Sequence, residues 1–103
     1  MMAKKNRTIE VYRRAGAGVR LLKTVAGQVL MDMSGVISSV DQDRFSRAIG
    51  LIQQVGSHAE DNMFHDFPEL PNDFIDVFYG EVDDEPRNEV DREQIELARK
   101  VAD

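Results

Sequence analysis

From Tyr12 onward the apolar residues return every three and four positions. Val19, Leu22, Ala26, Val29, Met33, Val36 and Val40 step by three, four, three, four, three and four. A helix of 3.6 residues per turn gathers such residues on one side, whereas a strand gathers every second residue. A sustained 3.5-residue repeat is also the rhythm of helices that wind around neighbours. Leu21, Val25, Leu30 and Ile37 widen the stripe, so it suits burial on a broad face better than a two-stranded seam. The stripe outlasts the helix that carries it, because Ser34-Gly35 and Ser38-Ser39 are poor helix formers. Gly16, Gly18 and Gly27 each weaken a helix interior by about 1 kcal/mol relative to Ala. Ala15–Gly18 is therefore a place for a kink, and Thr8–Arg14 alternates enough to be read as a short strand or arm. Helix is the favoured reading, with the small residues giving a second helix room to approach.

A second helix is expected from Ser39. Ser39 and Gln42 have the spacing of a capping box, and Asp41 and Asp43 suit the positive end of the helix dipole. Phe45, Ala48, Ile52, Val55 and Ala59 form its apolar face, bordered by Ile49, Gly56 and Met63. It should run to about His65 and stop before Pro68, since a residue preceding proline leaves the α region. A short aromatic helix over about 72–79 follows, with Phe74/Phe78 and Ile75/Tyr79 four apart and Gly80 as its stop; a strand over 74–82 is the competing reading. Residues 81–85 form an acidic loop. A last, acidic helix over about 86–102 places Val90, Leu97 and Val101 on one side with Ala98 beside them. It reaches Asp103 without a stop signal, as a helix continuing past this chain would.

The fold class is thus all-α: a small helical bundle in which a long antiparallel hairpin is joined by a short aromatic helix and an acidic C-terminal helix. With 103 residues, one domain is expected over 1–103, preceded by a flexible basic arm at 1–8. No run of eighteen apolar residues exists to cross a membrane, and the N-terminus lacks the apolar core of a signal peptide. Cysteine is absent, which rules out disulfides and thiolate chemistry and fits a cytoplasmic setting.

Charge is split along the chain. Residues 1–30 carry seven basic side chains and one acid, Glu10; residues 31–103 carry six basic side chains and eighteen acids. Such polarity marks two parts that pair, or one part aimed at a partner. Arg13, Arg14, Arg20 and Lys23, with Lys4, Lys5 and Arg7 before them, can track the phosphates of a nucleic acid. Against this stand an acidic net charge of −6, no aromatic residue there but Tyr12, and no helix-turn-helix spacing. The plainer reading pairs the strip with the acidic third of the chain. Residues 81–96 hold eight acids against Arg87 and Arg92. They fit a partner-binding segment or, more simply, a solvated face with pairs such as Glu89–Arg92 and Glu96–Lys100.

His58, Asp61 and His65 project within about 60° of one another on the second helix, and two imidazoles with a carboxylate are a divalent-metal donor set. The stretch from His58 to Pro68 resembles the His/Glu-rich stretch before Phe-Pro in hemerythrin-like proteins, over about a tenth of the chain. The resemblance implies a di-iron site, which takes several histidines from four helices, and this chain has two histidines. The three residues also fall on the polar side of their helix, where solvated side chains are the plainer reading. Gly16-Ala17-Gly18 has Leu21 where a dinucleotide fingerprint wants glycine, and no Gly-Lys-Ser/Thr phosphate loop occurs. No cofactor and no catalytic residue is expected. The clustered aromatics Phe64, Phe67, Phe74, Phe78 and Tyr79 read as a core plug.

The expected function is a small non-enzymatic helical interaction protein, an adaptor, inhibitor or regulator acting through helix faces and associating as a homodimer. The alternative is a nucleic-acid-binding regulator of antitoxin-like layout, basic at its N-terminal segment and partner-binding at its acidic end. A weak divalent-metal site on one helix is the third reading.

Overall fold

Thr8 opens the first helix. Its side chain accepts from the Val11 amide, and α1 then runs unbroken over Ile9–Met33. The computed structural model describes residues 7–80, 82 and 85–102. The expected N-terminal arm falls largely outside these residues, as does most of the 81–85 loop. Neither a break at Ala15–Gly18 nor a strand at Thr8–Arg14 occurs: α1 is one continuous helix through its glycines. Three helices, a short 3-10 turn and no strand make up the described chain, so the all-α bundle is the observed class.

Ser34 closes α1, its hydroxyl donating to the Met31 carbonyl at 2.8 Å. A five-residue turn, 34–38, leads to α2, Ser39–Asp66. The N-cap is Ser38 rather than Ser39: its side chain accepts from the Asp41 amide at 3.1 Å. Gln42 does not reach back to complete a capping box. Its amide donates instead to the Ser34 carbonyl at 2.9 Å and ties the turn to the helix. The two adjacent serines were equivalent by pattern, and the turn geometry chose between them.

Phe67 ends α2 just before Pro68, as the proline demands. The expected aromatic helix shortens to a 3-10 turn, Asn72–Phe74, followed by bends to Gly80. Gly80 has φ 80°, a left-handed conformation that glycine adopts without strain. The shortening has a tertiary cause: carbonyls of this segment turn outward to side chains of α1 and α3 instead of closing a helical ladder. The last helix, α3, spans Glu89–Ala102 and begins later than expected, because Asn88 caps it by accepting from the Asp91 amide at 2.8 Å.

Helix α1 is the centre: α2 packs on one flank and α3 on another. The core lies at one end of the molecule. Tyr12, Met63, Val77 and Phe78 form it, with Phe64, Phe67, Leu70, Phe74 and Val90 around them. A second cluster joins Ala17, Val82 and Ala98 with Leu21 and Leu97. Both sit on the first sixteen residues of α1. The 28-residue α2 is about 42 Å long at 1.5 Å per residue and so spans most of the 46 Å long axis. The 14-residue α3 covers about half that length. Among the described residues the far half of the hairpin is therefore two helices with no third layer.

The candidate interaction face

The basic strip is mostly spent inside the molecule. Arg20 and Asp91 are 1 % and 2 % exposed, and Arg20 Nη1 donates to Asp91 Oδ1 at 2.6 Å and to the Asp76 carbonyl at 3.1 Å. Asp91 Oδ2 accepts from the Arg87 amide at 3.0 Å, and Arg87 Nη1 lies 2.6 Å from Asp76 Oδ1. Lys23 Nζ donates to the Phe78 carbonyl at 3.1 Å. Arg13 reaches α3, donating to the Gln94 side chain and the Val90 carbonyl, 3.7 Å from Glu93. Gln94, fully buried, bridges back to the Arg13 and Val77 carbonyls. Of the four residues assigned to a phosphate track, Arg14 alone is exposed. The charge split thus works as an internal clasp that seats α3 and the 76–82 segment on α1. Its interior positions explain why the strip is basic: carbonyls freed from helical bonding need donors.

His58, Asp61 and His65 are all exposed on α2. The two histidines stand seven residues apart, about 10 Å along the axis, while a metal holds its ligands at about 2 Å. Among the described residues no group of three or more histidines and carboxylates is gathered to hold a metal ion. Next to them, Asp66 accepts from the buried Tyr12 hydroxyl at 2.5 Å and lies 3.2 Å from Arg7 Nε. Burial, then the Asp66 hydrogen bond and charge, hold the Tyr12 hydroxyl above its ordinary pKa. Half-buried Glu60 is also raised, by burial first and then by Asp61 and Asp76. The acids of α3 divide: Asp91 is buried against Arg20 and Glu93 lies near Arg13, while Glu89 and Glu96 flank Arg92 on the solvent side, so Glu89–Arg92 forms as expected and Glu96 pairs with Arg92 rather than Lys100.

The apolar residues fall out of step with the expected burial. Leu22 and Val25 of α1 are 48 % and 50 % exposed; Leu51 and Val55 of α2 are 63 % and 65 % exposed. Val55 and Ala48 belong to the expected buried face of α2, yet Gly56 and Met63 carry the burial. A helix face turns by 100° per residue. Leu22 and Val25 point about 100° and 160° away from Lys23, which reaches the Phe78 carbonyl, and Leu51 and Val55 about 120° and 160° away from Ser57, which bonds the Tyr79 hydroxyl at 2.7 Å. All four therefore share the side of the hairpin opposite that segment. Their register is set where a side chain at Gly56 would meet Val19 at 3.5 Å. Counting forward on α1 and back on α2 from that contact brings Leu22–Val25 beside Leu51–Val55. The four expose on the order of 400 Å² of apolar surface, the size of the largest patch on a typical monomer, which is often functional. Leu51 was not in the expected stripe, and its signal is that residues 48–57 contain no charged side chain.

Among the described residues no helix is long and apolar enough to cross a membrane. No protein-family model, no curated protein and no solved structure matches this chain.

Proposed function

We propose that this is a small, non-enzymatic interaction protein, an adaptor, inhibitor or regulator, that works through the exposed side of its α1–α2 hairpin. The observation that carries the proposal is the Leu22, Val25, Leu51 and Val55 surface, half exposed or more on rigid helices in a chain with 31 % charged residues. Apolar surface of that extent gains by burial at about 25 cal/mol per Å², and helix faces offer it in a fixed geometry. The division of labour in the fold supports the same reading: the charged clasp stabilises one end of the hairpin, and the other end is left to present its sides. The chain's lack of cysteine suits the reducing cytoplasm.

Photo-crosslinking in cells tests this. A photoreactive residue at Leu51 should form a discrete protein adduct, while one at the exposed Asp73 should not. No adduct from Leu51 or Val25, or equal adducts from Asp73, would remove the hairpin side as the working surface.

A further inference from the structure

We infer that α3 is a strap: it lifts off α1 as one unit while the hairpin and its core stay folded. The two apolar clusters divide the molecule at this line. Tyr12, Met63, Val77 and Phe78 centre the main core, and among the described residues Val90 is the only part of α3 packed against it. α3 meets α1 in the smaller cluster of Ala17, Val82 and Ala98 with Leu21 and Leu97. Only Val90 leaves the main core when that smaller cluster opens.

The contact face of α3 is also half polar. Of its buried residues, Ile95 and Ala98 are apolar, while Asp91 and Gln94 are not. Asp91 pairs with Arg20, and Gln94 bridges the Arg13 and Val77 carbonyls. Arg13 donates to the Gln94 side chain and the Val90 carbonyl, and Arg99 donates to the Val82 carbonyl at 3.1 Å. Polar and apolar contacts respond differently when a helix lifts. An apolar side chain loses its burial and gains nothing from water. A separating ion pair is rehydrated, so the desolvation of Arg20 and Asp91 is returned and offsets much of the attraction lost. Amide–carbonyl bonds are likewise exchanged for bonds to water. The clasp therefore fixes where α3 sits, because a charge left alone inside is costly, yet it resists complete removal only weakly.

The covalent connection permits the motion. Residues 83–88 can span about 20 Å when extended, twice the roughly 10 Å between packed helix axes. Regions with few buried apolar contacts open below the global transition, often as contiguous units. Opening uncovers the side of α1 that carries Arg13 and Arg20, next to the exposed Arg14. The strap thus conceals or reveals a basic strip without disturbing the Leu51 side of the hairpin.

Native-state hydrogen exchange of the full chain, read residue by residue by NMR across low urea concentrations, tests this. The interior amides of α3, from Ile95 to Arg99, should share one rate and one shallow urea dependence. That rate should be about 100-fold faster than around Met63, where the slope should be that of global unfolding. Asp91→Asn keeps the side-chain shape and removes its charge. It should speed exchange in α3 by about a further 100-fold and leave the Met63 region unchanged. Equal rates and equal urea slopes in α3 and around Met63 would make the chain one cooperative unit and overturn the inference. Protection that fades residue by residue from Ala102 inward would also overturn it, since that is fraying and not lifting. An Asp91→Asn protein that loses protection in α2, or fails to fold, would do the same, because the hairpin would then depend on α3.

Discussion

Gly16→Ala pits helix propensity against packing at one atom. Alanine in a helix interior is favoured over glycine by about 1 kcal/mol, and Gly16 sits inside α1 with helical geometry. Its added Cβ, however, would press on the Val77 carbonyl oxygen, and would stand 2.7 Å from Val77 Cγ1 and 2.9 Å from the carbonyl carbon. The obstacle is backbone, so the 76–78 segment must retreat by about 1 Å to reach ordinary contact. That carbonyl also accepts from the fully buried Gln94 amide at 3.1 Å. A retreat stretches this bond past its useful range and leaves a buried donor short of a partner, at about 1–3 kcal/mol. Overpacking adds about 1–3 kcal/mol. Subtracting the propensity gain leaves a net destabilisation of about 1–5 kcal/mol. Gly50→Ala is the matched control: it is exposed in the interior of α2 and its Cβ would meet nothing within 4 Å, so it should stabilise by about 1 kcal/mol. Urea unfolding at one fixed protein concentration reads both midpoints, and heating should lower the Gly16→Ala midpoint by about 10 °C for a domain of this size. A Gly16→Ala protein as stable as the wild type would refute the close approach of Val77 to α1.

The buried clasp should behave as a pair. Asp91→Leu alone strands Arg20 and should cost about 3–5 kcal/mol, while Arg20→Met with Asp91→Leu should recover most of the loss in chemical denaturation; equal loss in both would show that the charges do not couple. Glu60 holds its proton more tightly folded than unfolded, so the stability tied to it is present below its unfolded pKa near 4.5 and is lost as pH rises through the higher folded value. Glu60→Gln should therefore stabilise the protein at pH 7 and make no difference at pH 3; an unchanged midpoint at pH 7 would mean the carboxyl is not strained by burial, Asp61 and Asp76. Ser38→Ala should cost about 1 kcal/mol by removing the α2 cap, and Ser39→Ala should be close to neutral; the reverse order, in the same unfolding assay, would move the cap to Ser39.

Local chemistry made much of this molecule readable from the chain. The three-four spacing marked both long helices, Ser34 to Ser38 marked their turn, Pro68 marked the end of α2, and Gly80 marked a left-handed stop. Each of these depends on residues within a turn or two of one another, and such interactions act before any tertiary contact is made. The aromatic plug was legible for a related reason: Phe64, Phe67, Phe74 and Phe78, within fifteen residues, do pack together, whereas Tyr79, expected with them, is 42 % exposed.

What the chain could not decide alone was rotation. A stripe says that a helix has a buried side, but its centre moves when a second neighbour arrives. α3 and the 76–82 segment lie over Arg20 and Lys23, and so two basic residues are buried while Leu22, between them in sequence, and Val25, just after them, face outward. The basic-to-acidic split announced a pairing, and only the tertiary structure made it an internal one, by presenting backbone carbonyls at Asp76 and Phe78 and the carboxylate of Asp91 to the side chains of α1. That placement is a long-range event: it depends on residues more than fifty positions apart and on the cost of leaving buried carbonyls without donors. The apolar side left over by that choice is therefore a property of the assembled fold, and periodicity along one helix does not contain it.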